Sequence, residues 1–264
     1  MCRWIAYRGE QIALENYVTA PKHSLIQQSQ RALEAVASVN GDGFGLGWYG
    51  EHDEPGLYRE VRPAWSDENL RHLCRHIRSN LFFGHVRAAT GTPTTRPNCH
   101  PFTHGKWMFM HNGQIGDWSL IRRKVEAMIP DAYYPSRIGT TDSEAVFLAI
   151  LGNGGETDPV GATCKVLMRL TELVRDSGTQ EPLRFTSALS DGQNLYAFRY
   201  VDHGSANTLY YREAGDSVVM ASEPLDTSER DYWKAVPSGH VMVARAGAPV
   251  TLQPIPQRAL AAAE

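Results

Sequence analysis

Short runs of alternating apolar and polar residues fall into two groups along the chain, with segments of helical periodicity between them. Alternation is typical of strands that bury one face, whereas apolar residues three and four positions apart mark the buried side of a helix. The pattern therefore predicts a layered packing with sheets in the middle and helices outside. Strands are predicted at 2–9, 45–49, 56–61, 81–88, 106–110, 184–190, 194–201, 207–213, 217–222, 240–245 and 248–253.

Capping residues mark where two of the helices begin. Ser24 and Gln27 form a capping box for a helix running toward Ala37, which the turn NGDG then ends. Thr141 and Glu144 form a second capping box. Helices are also predicted at 67–77, 118–128, 142–151 and 160–176.

Length and charge narrow the classes of protein. The chain has 264 residues, a formal net charge of −3 and no run of like charges, so neither nucleic acid nor an anionic membrane is an expected partner. The glycine-rich segment 151–159 looks like a loop within one fold, and residues 1–264 are expected to form a single domain. Apolar stretches such as 145–151 are too short to cross a bilayer, and the N-terminus lacks the apolar run of a secretory signal. A cytoplasmic protein is therefore expected.

The cysteines and histidines show no disulfide or metal pattern. The cysteines at 2, 74, 99 and 164 have no CxxC spacing, so reduced thiols are expected. His72 and His76 are four residues apart on a predicted helix, but no acidic third ligand is identifiable. We expect no metal and no cofactor.

Cys2 is a candidate nucleophile, because removal of Met1 would give it a free α-amine. A thiol with a pKa of about 8.5 is mostly protonated at neutral pH and needs a base. An α-amine, with a pKa of about 7.7–8.0, can take that proton within the same residue. Taken alone, however, the N-terminus favours an ordinary buried cysteine in a first strand, because free cysteine is among the most buried residue types.

Several further segments stand in the order found in class II glutamine amidotransferases, which the chain resembles. They are MCRWIAYRG, NGDGFGLGWY, GHVRAATGTPT, NCHPFTHGKWMFMHNGQI and TTDSEAVF, and the likeness continues through ASEPLD and AVPSGHVMVAR. Within that family, the chain looks most like the stand-alone members related to the ergothioneine-pathway γ-glutamyl hydrolase and the fungal glutathione-degrading subunit. The resemblance implies an α+β fold, the four-layer αββα sandwich of N-terminal-nucleophile hydrolases.

The resemblance also implies a role for each residue of a γ-glutamyl site. Arg87 corresponds to the arginine that holds the substrate α-carboxylate, and Asp142 to the aspartate that pairs with the α-ammonium. Asn112 and Gly113, which follow a predicted strand, correspond to the oxyanion hole. Cys2 would attack the γ-carbonyl, and water would then release glutamate from the thioester.

Each of these residues has a plainer interpretation when it is taken alone. Arg87 would suit the exposed end of a strand, and Asn112 with Gly113 is a strong signal for a tight turn. Asp142 in the first turn of a helix is favoured by the helix dipole, a role that is compatible with substrate binding.

Other residues near these motifs are expected to support the site or the core. The turn around Asn40 and Asp42 is expected to help orient the N-terminus, and Ala88 stands where the family has a tryptophan or similar residue after the arginine. Three histidines are expected to support the site by hydrogen bonding, namely His100, His104 and His111. Core positions are expected for Trp4, Trp48, Trp65 and Trp107.

We therefore expect hydrolysis of a γ-glutamyl amide, either glutamine or a γ-glutamyl thiol compound, rather than ammonia transfer. One alternative is an ammonia-donating glutaminase subunit with a separate synthase or peptidase partner, and another is a catalytically silent glutamine-sensing module. A bile-salt-hydrolase or penicillin-acylase-like enzyme would prefer a hydrophobic acyl group, against which Arg87 and Asp142 argue. The sequence leaves self-association into a homo-oligomer open.

Overall fold

The frame of the structure is two β-sheets that lie face to face. The computed structural model describes residues 2–34, 39–89, 91–226 and 230–256. Its strands are β1 (Arg3–Ala13), β2 (Phe44–Trp48), β3 (Gly56–Glu60), β4 (Arg78–Val86), β5 (Phe102–His104), β6 (Trp107–Ile115), β7 (Leu183–Ser190), β8 (Leu195–Val201), β9 (Tyr210–Ala214), β10 (Ser217–Ala221), β11 (Lys234–Ala235), β12 (His240–Ala244) and β13 (Thr251–Pro254).

Neighbouring strands pair antiparallel in both sheets. The first sheet has seven strands in the order β11-β9-β10-β1-β4-β2-β3, and the second has six in the order β13-β12-β8-β7-β6-β5. The helices are α1 (Glu15–Val18), α2 (Leu25–Gln30), α3 (Glu68–His76), α4 (Trp118–Glu126), α5 (Asp142–Ile150) and α6 (Pro159–Ser177).

The alternation predicted for the first strand explains how the layers pack. On β1, Trp4 and Ala6 point into the core between the two sheets, where they meet Met108 and Met110 of β6. Ile5 and Tyr7 point the other way, into a core covered by α1, α2 and α3. Burying one large apolar side chain stabilises the fold by about 1.5–3 kcal/mol, so each face of the strand holds its layer in place.

A third core lies on the outer face of the second sheet. Helices α4, α5 and α6 cover that face, and the buried Phe109, Phe147 and Phe185 stack between the strands and α5. The order of layers is therefore helix, sheet, sheet, helix, which confirms the predicted αββα sandwich.

Some predicted boundaries need correction. Ser24 caps α2 as predicted, with its Oγ accepting from the Gln27 amide at 3.4 Å. The helix ends at Gln30, however, because Arg31 leaves the helical conformation with a φ of −150°. The predicted end at Ala37 lies outside the described residues. In the described part of the chain, no helix combines the length and apolar character needed to cross a membrane.

The strand predicted over 106–110 is longer than expected. It continues as β6 to Ile115, and Asn112 and Gly113 pair with Thr186 and Phe185 of β7. The prediction that these two residues follow the strand was wrong, and so was the alternative of a tight turn. The interstrand hydrogen bonds with β7 outweigh the local turn preference of an Asn-Gly pair.

Candidate active site

A cavity of about 360 Å³ lies where the N-terminus meets the ends of β4 and β6 and the start of α5. Four of the five predicted site residues line it, namely Cys2, Arg87, Gly113 and Asp142. The fifth, Asn112, directly precedes Gly113 and has a fully buried side chain. The structure thus brings together residues that are up to 140 positions apart, from Cys2 to Asp142.

The Cys2 thiol is half-buried and faces the backbone of Ala88. Its Sγ lies 3.5 Å from the Ala88 amide nitrogen, which donates to it, and 3.6 Å from the Ala88 carbonyl oxygen. Burial raises the pKa of the Cys2 thiol above its usual value, and the Ala88 backbone contact offsets this only in part. The sulfur is therefore protonated at neutral pH and needs a base before it can attack.

Arg87 is buried and held in one orientation by hydrogen bonds. Its Nη2 donates to the Thr92 Oγ1 at 2.7 Å and to the Thr92 carbonyl at 3.3 Å, and its Nη1 donates to the Asp42 carbonyl at 3.4 Å. A guanidinium fixed in this way presents its remaining N–H groups to the cavity at little further entropic cost.

The NGDG turn, residues 40–43, is hydrogen-bonded to residues 87–89, which face the Cys2 thiol. The Asp42 carboxylate accepts from the Ala89 amide at 2.8 Å, and the Asp42 amide donates to the Arg87 carbonyl at 3.0 Å. Gly43 has a φ of +106°, and a Cβ there would come within 2.7 Å of the Cys99 Sγ, so only glycine fits. The turn therefore influences Cys2 indirectly, because it fixes the backbone of residues 87–89.

Asn112 and Gly113 are placed by strand pairing in the middle of β6. In the described structure, neither the Nδ2 nor the Oδ1 of Asn112 has a hydrogen-bond partner, although both atoms are buried. Leaving a buried polar group unpaired costs about 1–3 kcal/mol, so this amide lowers the stability of the fold. A Cβ at Gly113 would collide with the Arg184 carbonyl and the His111 ring, so this position requires glycine.

Asp142 is the first residue of α5, and Thr141 caps that helix by accepting from the Glu144 amide at 3.2 Å. The Asp142 Oδ1 accepts from the Ser143 amide at 2.7 Å, and its Oδ2 accepts from the Ile115 amide at 3.3 Å. These bonds fix the carboxylate at the cavity wall, where a cation can approach it.

Two of the three predicted histidines reach the cavity. His100 and His111 line it, whereas His104 packs its ring against Tyr133 at 5.1 Å between centroids and does not line the cavity. His85 was not predicted as a site residue, and its ring stacks on His100 at 4.2 Å. It lies on β4 inside the segment GHVRAATGTPT, in which only Arg87 was given a role. Burial lowers the pKa of His85 to about 3 and that of His100 well below its usual value, so both rings are neutral at pH 7.

Stability is therefore expected to fall as the pH drops below about 6.5, the usual histidine pKa. As the pH falls below about 6.5, the unfolded chain binds protons on these histidines, whereas the folded protein keeps both rings neutral. In the folded protein His85 binds its proton only near pH 3. Each such histidine lowers the free energy of unfolding by up to about 1.4 kcal/mol per pH unit across that window. Urea unfolding between pH 7 and pH 4 should show a shallower dependence for His85→Gln and an unchanged one for the exposed His76→Gln. An identical slope in wild type and His85→Gln would contradict the assignment.

Two further cavity residues, Gln114 and Trp118, were not predicted as site residues. Trp118 at the start of α4 lines the cavity, and the Gln114 Nε2 donates to the Glu181 Oε2 at 2.5 Å across its mouth. Among the described residues, no group of three or more His, Cys, Asp or Glu side chains is arranged to hold a metal ion.

The double antiparallel sheet with helices on both outer faces has the fold of the N-terminal-nucleophile hydrolases, and Cys2 lies beside its cavity. The family model of the class-II glutamine amidotransferases matches residues 15–212, and the chain belongs to this family.

Relatives and solved structures agree with that assignment. The chain is 32% identical over 293 residues to the probable glutamine amidotransferase DUG3 of Saccharomyces cerevisiae, covering 92% of this chain and 81% of the yeast protein. It is 27% identical over 244 residues to a gamma-glutamyl-hercynylcysteine sulfoxide hydrolase of Mycobacterium tuberculosis, covering 92% of both chains. A glutamine aminotransferase class-II domain protein from Silicibacter pomeroyi superposes with a TM-score of 0.76 at 36% identity, covering 97% of this chain and 100% of that one.

Proposed function

We propose that the protein hydrolyses a γ-glutamyl amide, either glutamine or a γ-glutamyl thiol compound, and releases glutamate. The observation that carries this proposal is the shared cavity of Cys2, Arg87, Gly113 and Asp142. The mycobacterial relative, named as the hydrolase of a γ-glutamyl compound, supports the same substrate class.

Arg87 and Asp142 suit the free amino-acid end of a γ-glutamyl group. The guanidinium of Arg87 pairs with the α-carboxylate through the N–H groups that Thr92 and Asp42 do not occupy, and the Asp142 carboxylate pairs with the α-ammonium. Because hydrogen bonds hold both side chains at the cavity wall, they bind the zwitterion with little loss of side-chain entropy. The γ-carbonyl then extends toward the Cys2 thiol.

The reaction runs through a thioester on Cys2. After removal of Met1, the α-amine takes the thiol proton, and the sulfur adds to the carbonyl carbon of the γ-glutamyl amide as the C=O π electrons move to the oxygen. The tetrahedral intermediate collapses as the carbon–nitrogen bond breaks, and the α-ammonium returns the proton to the departing amine. Water, deprotonated by the same amine, then adds to the thioester, and glutamate leaves as the carbon–sulfur bond breaks.

The oxyanion of both steps requires donors at a fixed position. The side-chain amide of Asn112 and the backbone N–H of Gly113 fill this role in our proposal. The buried and unpartnered Nδ2 of Asn112 supports it, since a group left unpaired at a cost in stability is available when negative charge develops.

Asn112→Ala should therefore lower kcat by roughly 100- to 1,000-fold with a small effect on KM. The melting temperature should change little, because removing an unsatisfied buried amide stabilises the fold by about as much as losing its packing destabilises it. Steady-state kinetics and melting curves on the same preparation check both expectations. Thr186→Val, at the position paired with Asn112 on β7, is the matched control for loss of a buried polar group. A variant that melts much earlier but keeps its kcat would contradict the assignment.

Glutamate release from a panel of amides tests the proposed function. Glutamine, glutathione and other γ-glutamyl amides are each offered to protein that intact mass shows to lack Met1. We expect release from at least one of them, together with an enzyme adduct whose mass matches a γ-glutamyl thioester. Release that needs a second protein would favour a partner-dependent glutaminase, and binding of glutamine without turnover would favour a sensing module.

A further inference from the structure

A buried ion pair lies beneath the N-terminal residue and takes no part in the chemistry above. The Arg3 Nε lies 2.7 Å from the Glu223 Oε1, and both side chains are only 1% exposed. The Arg3 Nη1 also donates to the carbonyl oxygen of Cys2 at 2.9 Å. One guanidinium thus connects the backbone of the proposed nucleophile to a carboxylate 220 residues away in sequence.

Glu223, in the ASEPLD segment after β10, is itself held firmly. Its carboxylate accepts from the amides of Leu33 and Glu34 and from the His23 Nε2, each at 2.9 Å. Burial alone would raise the pKa of Glu223, but these hydrogen bonds and the charge of Arg3 hold it at about 2. The carboxylate is therefore charged at neutral pH and fixed relative to the surrounding backbone.

The same segment is tied to the first strand by its backbone. The Ser222 amide donates to the Trp4 carbonyl at 3.0 Å, and the Trp4 amide donates to the Ser222 Oγ at 3.0 Å. Strand pairing of β1 with β4 begins at Arg3, so Cys2 lies just outside the ladder. Its carbonyl orientation therefore depends on the Arg3 side chain.

We propose that Arg3, anchored by Glu223, is a positioning residue that fixes the carbonyl of Cys2 and thereby the orientation of its α-amine and thiol. This inference rests on the proposed function of Cys2. A buried ion pair is a weak source of stability, because desolvation of two charges offsets most of their attraction. A geometric role accounts for both contacts, since one planar guanidinium lies against the Glu223 carboxylate and also donates to the Cys2 carbonyl.

Arg3→Lys tests the proposal, because lysine keeps the charge but not the planar fork. We expect kcat for glutamate release to fall roughly 10- to 100-fold with KM within about threefold of wild type, as for a small misplacement of reacting groups. We also expect a shifted pH profile for alkylation of Cys2 by iodoacetamide, followed by peptide mass. Glu223→Gln should shift the same profile in the same direction. Val166→Ala, at a buried position on α6, is the control that weakens the fold away from the cavity.

The outcomes separate the two proposals. Wild-type kcat and alkylation profile in a folded Arg3→Lys would overturn the positioning role while leaving hydrolysis by Cys2 intact. If Arg3→Lys does not fold, Glu223→Gln gives the same decision. The positioning role would likewise be overturned if both variants melt at a lower temperature but keep their kcat per folded molecule, as Val166→Ala does. A shifted alkylation profile in protein that hydrolyses no amide on the panel would support positioning and reject the proposed function.

Discussion

Replacing Cys2 with alanine is expected to lower the rate of glutamate release by about 10⁴- to 10⁶-fold. Among the described residues that line the cavity, Cys2 alone carries a thiol, so no other side chain can form the thioester. The fold should persist, because the Cys2 sulfur contacts only the backbone of Ala88 in the described hydrogen bonds. Substrate binding by Arg87 and Asp142 should also persist. Coupled assay of glutamate and calorimetric titration with the slow substrate measure the two effects separately.

Two controls identify the source of that loss. Cys164→Ala removes a buried thiol on α6 and should leave turnover unchanged. A non-cleavable extension before Cys2 keeps the thiol but removes the free α-amine, so it should abolish glutamate release as well. Residual activity above about 1% in Cys2→Ala, or full activity in the extended protein, would show that the base or the nucleophile lies elsewhere.

Asp142→Asn is expected to lower kcat/KM by roughly 30- to 5,000-fold, mainly through KM. Removing one partner of a buried, hydrogen-bonded charge pair costs about 2–5 kcal/mol, which corresponds to that range. Asparagine keeps an acceptor oxygen for the Ser143 or Ile115 amide, so the change removes the charge and preserves much of the local structure. Initial rates over a range of substrate concentration measure the effect.

A substrate without an α-amino group makes this test specific. Such an amide has no ammonium for Asp142, so wild type and Asp142→Asn should hydrolyse it equally slowly. Asp158→Asn, at the N-cap of α6 and outside the cavity lining, is the matched control for a carboxylate at a helix start. If Asp142 acted only through the helix dipole, both variants would lose about 0.3–1 kcal/mol of stability with unchanged kcat/KM.

Local patterns predicted the parts of the fold that depend on near neighbours. The strand predicted at 2–9 is present as β1, and its Trp4 and Ile5 lie in two different cores because successive side chains of a strand point to opposite faces. Thr141 and Ser24 cap α5 and α2 as expected, since a capping hydrogen bond spans only three residues. The order of the motifs identified the family, which the model matching residues 15–212 confirms.

Contacts between distant segments decided what those patterns could not. The Asn112–Gly113 pair favours a turn locally, but pairing with β7 draws it into the middle of a strand. The stacking of His85 on His100 joins β4 of the first sheet to the segment that precedes β5 of the second, and no local pattern predicts that contact.

The sequence by itself thus determined the layers of the fold, the starts of helices α2 to α6 to within a residue, and a set of site residues whose roles stay predictions. Tertiary structure alone decided that these residues share one cavity, that the Asn112 amide is buried without a partner and that Arg3 reaches Glu223. The physical reason is range. Periodicity and capping act over a few residues, whereas a buried charge or amide is defined by groups that only the folded chain brings within 3 Å of it.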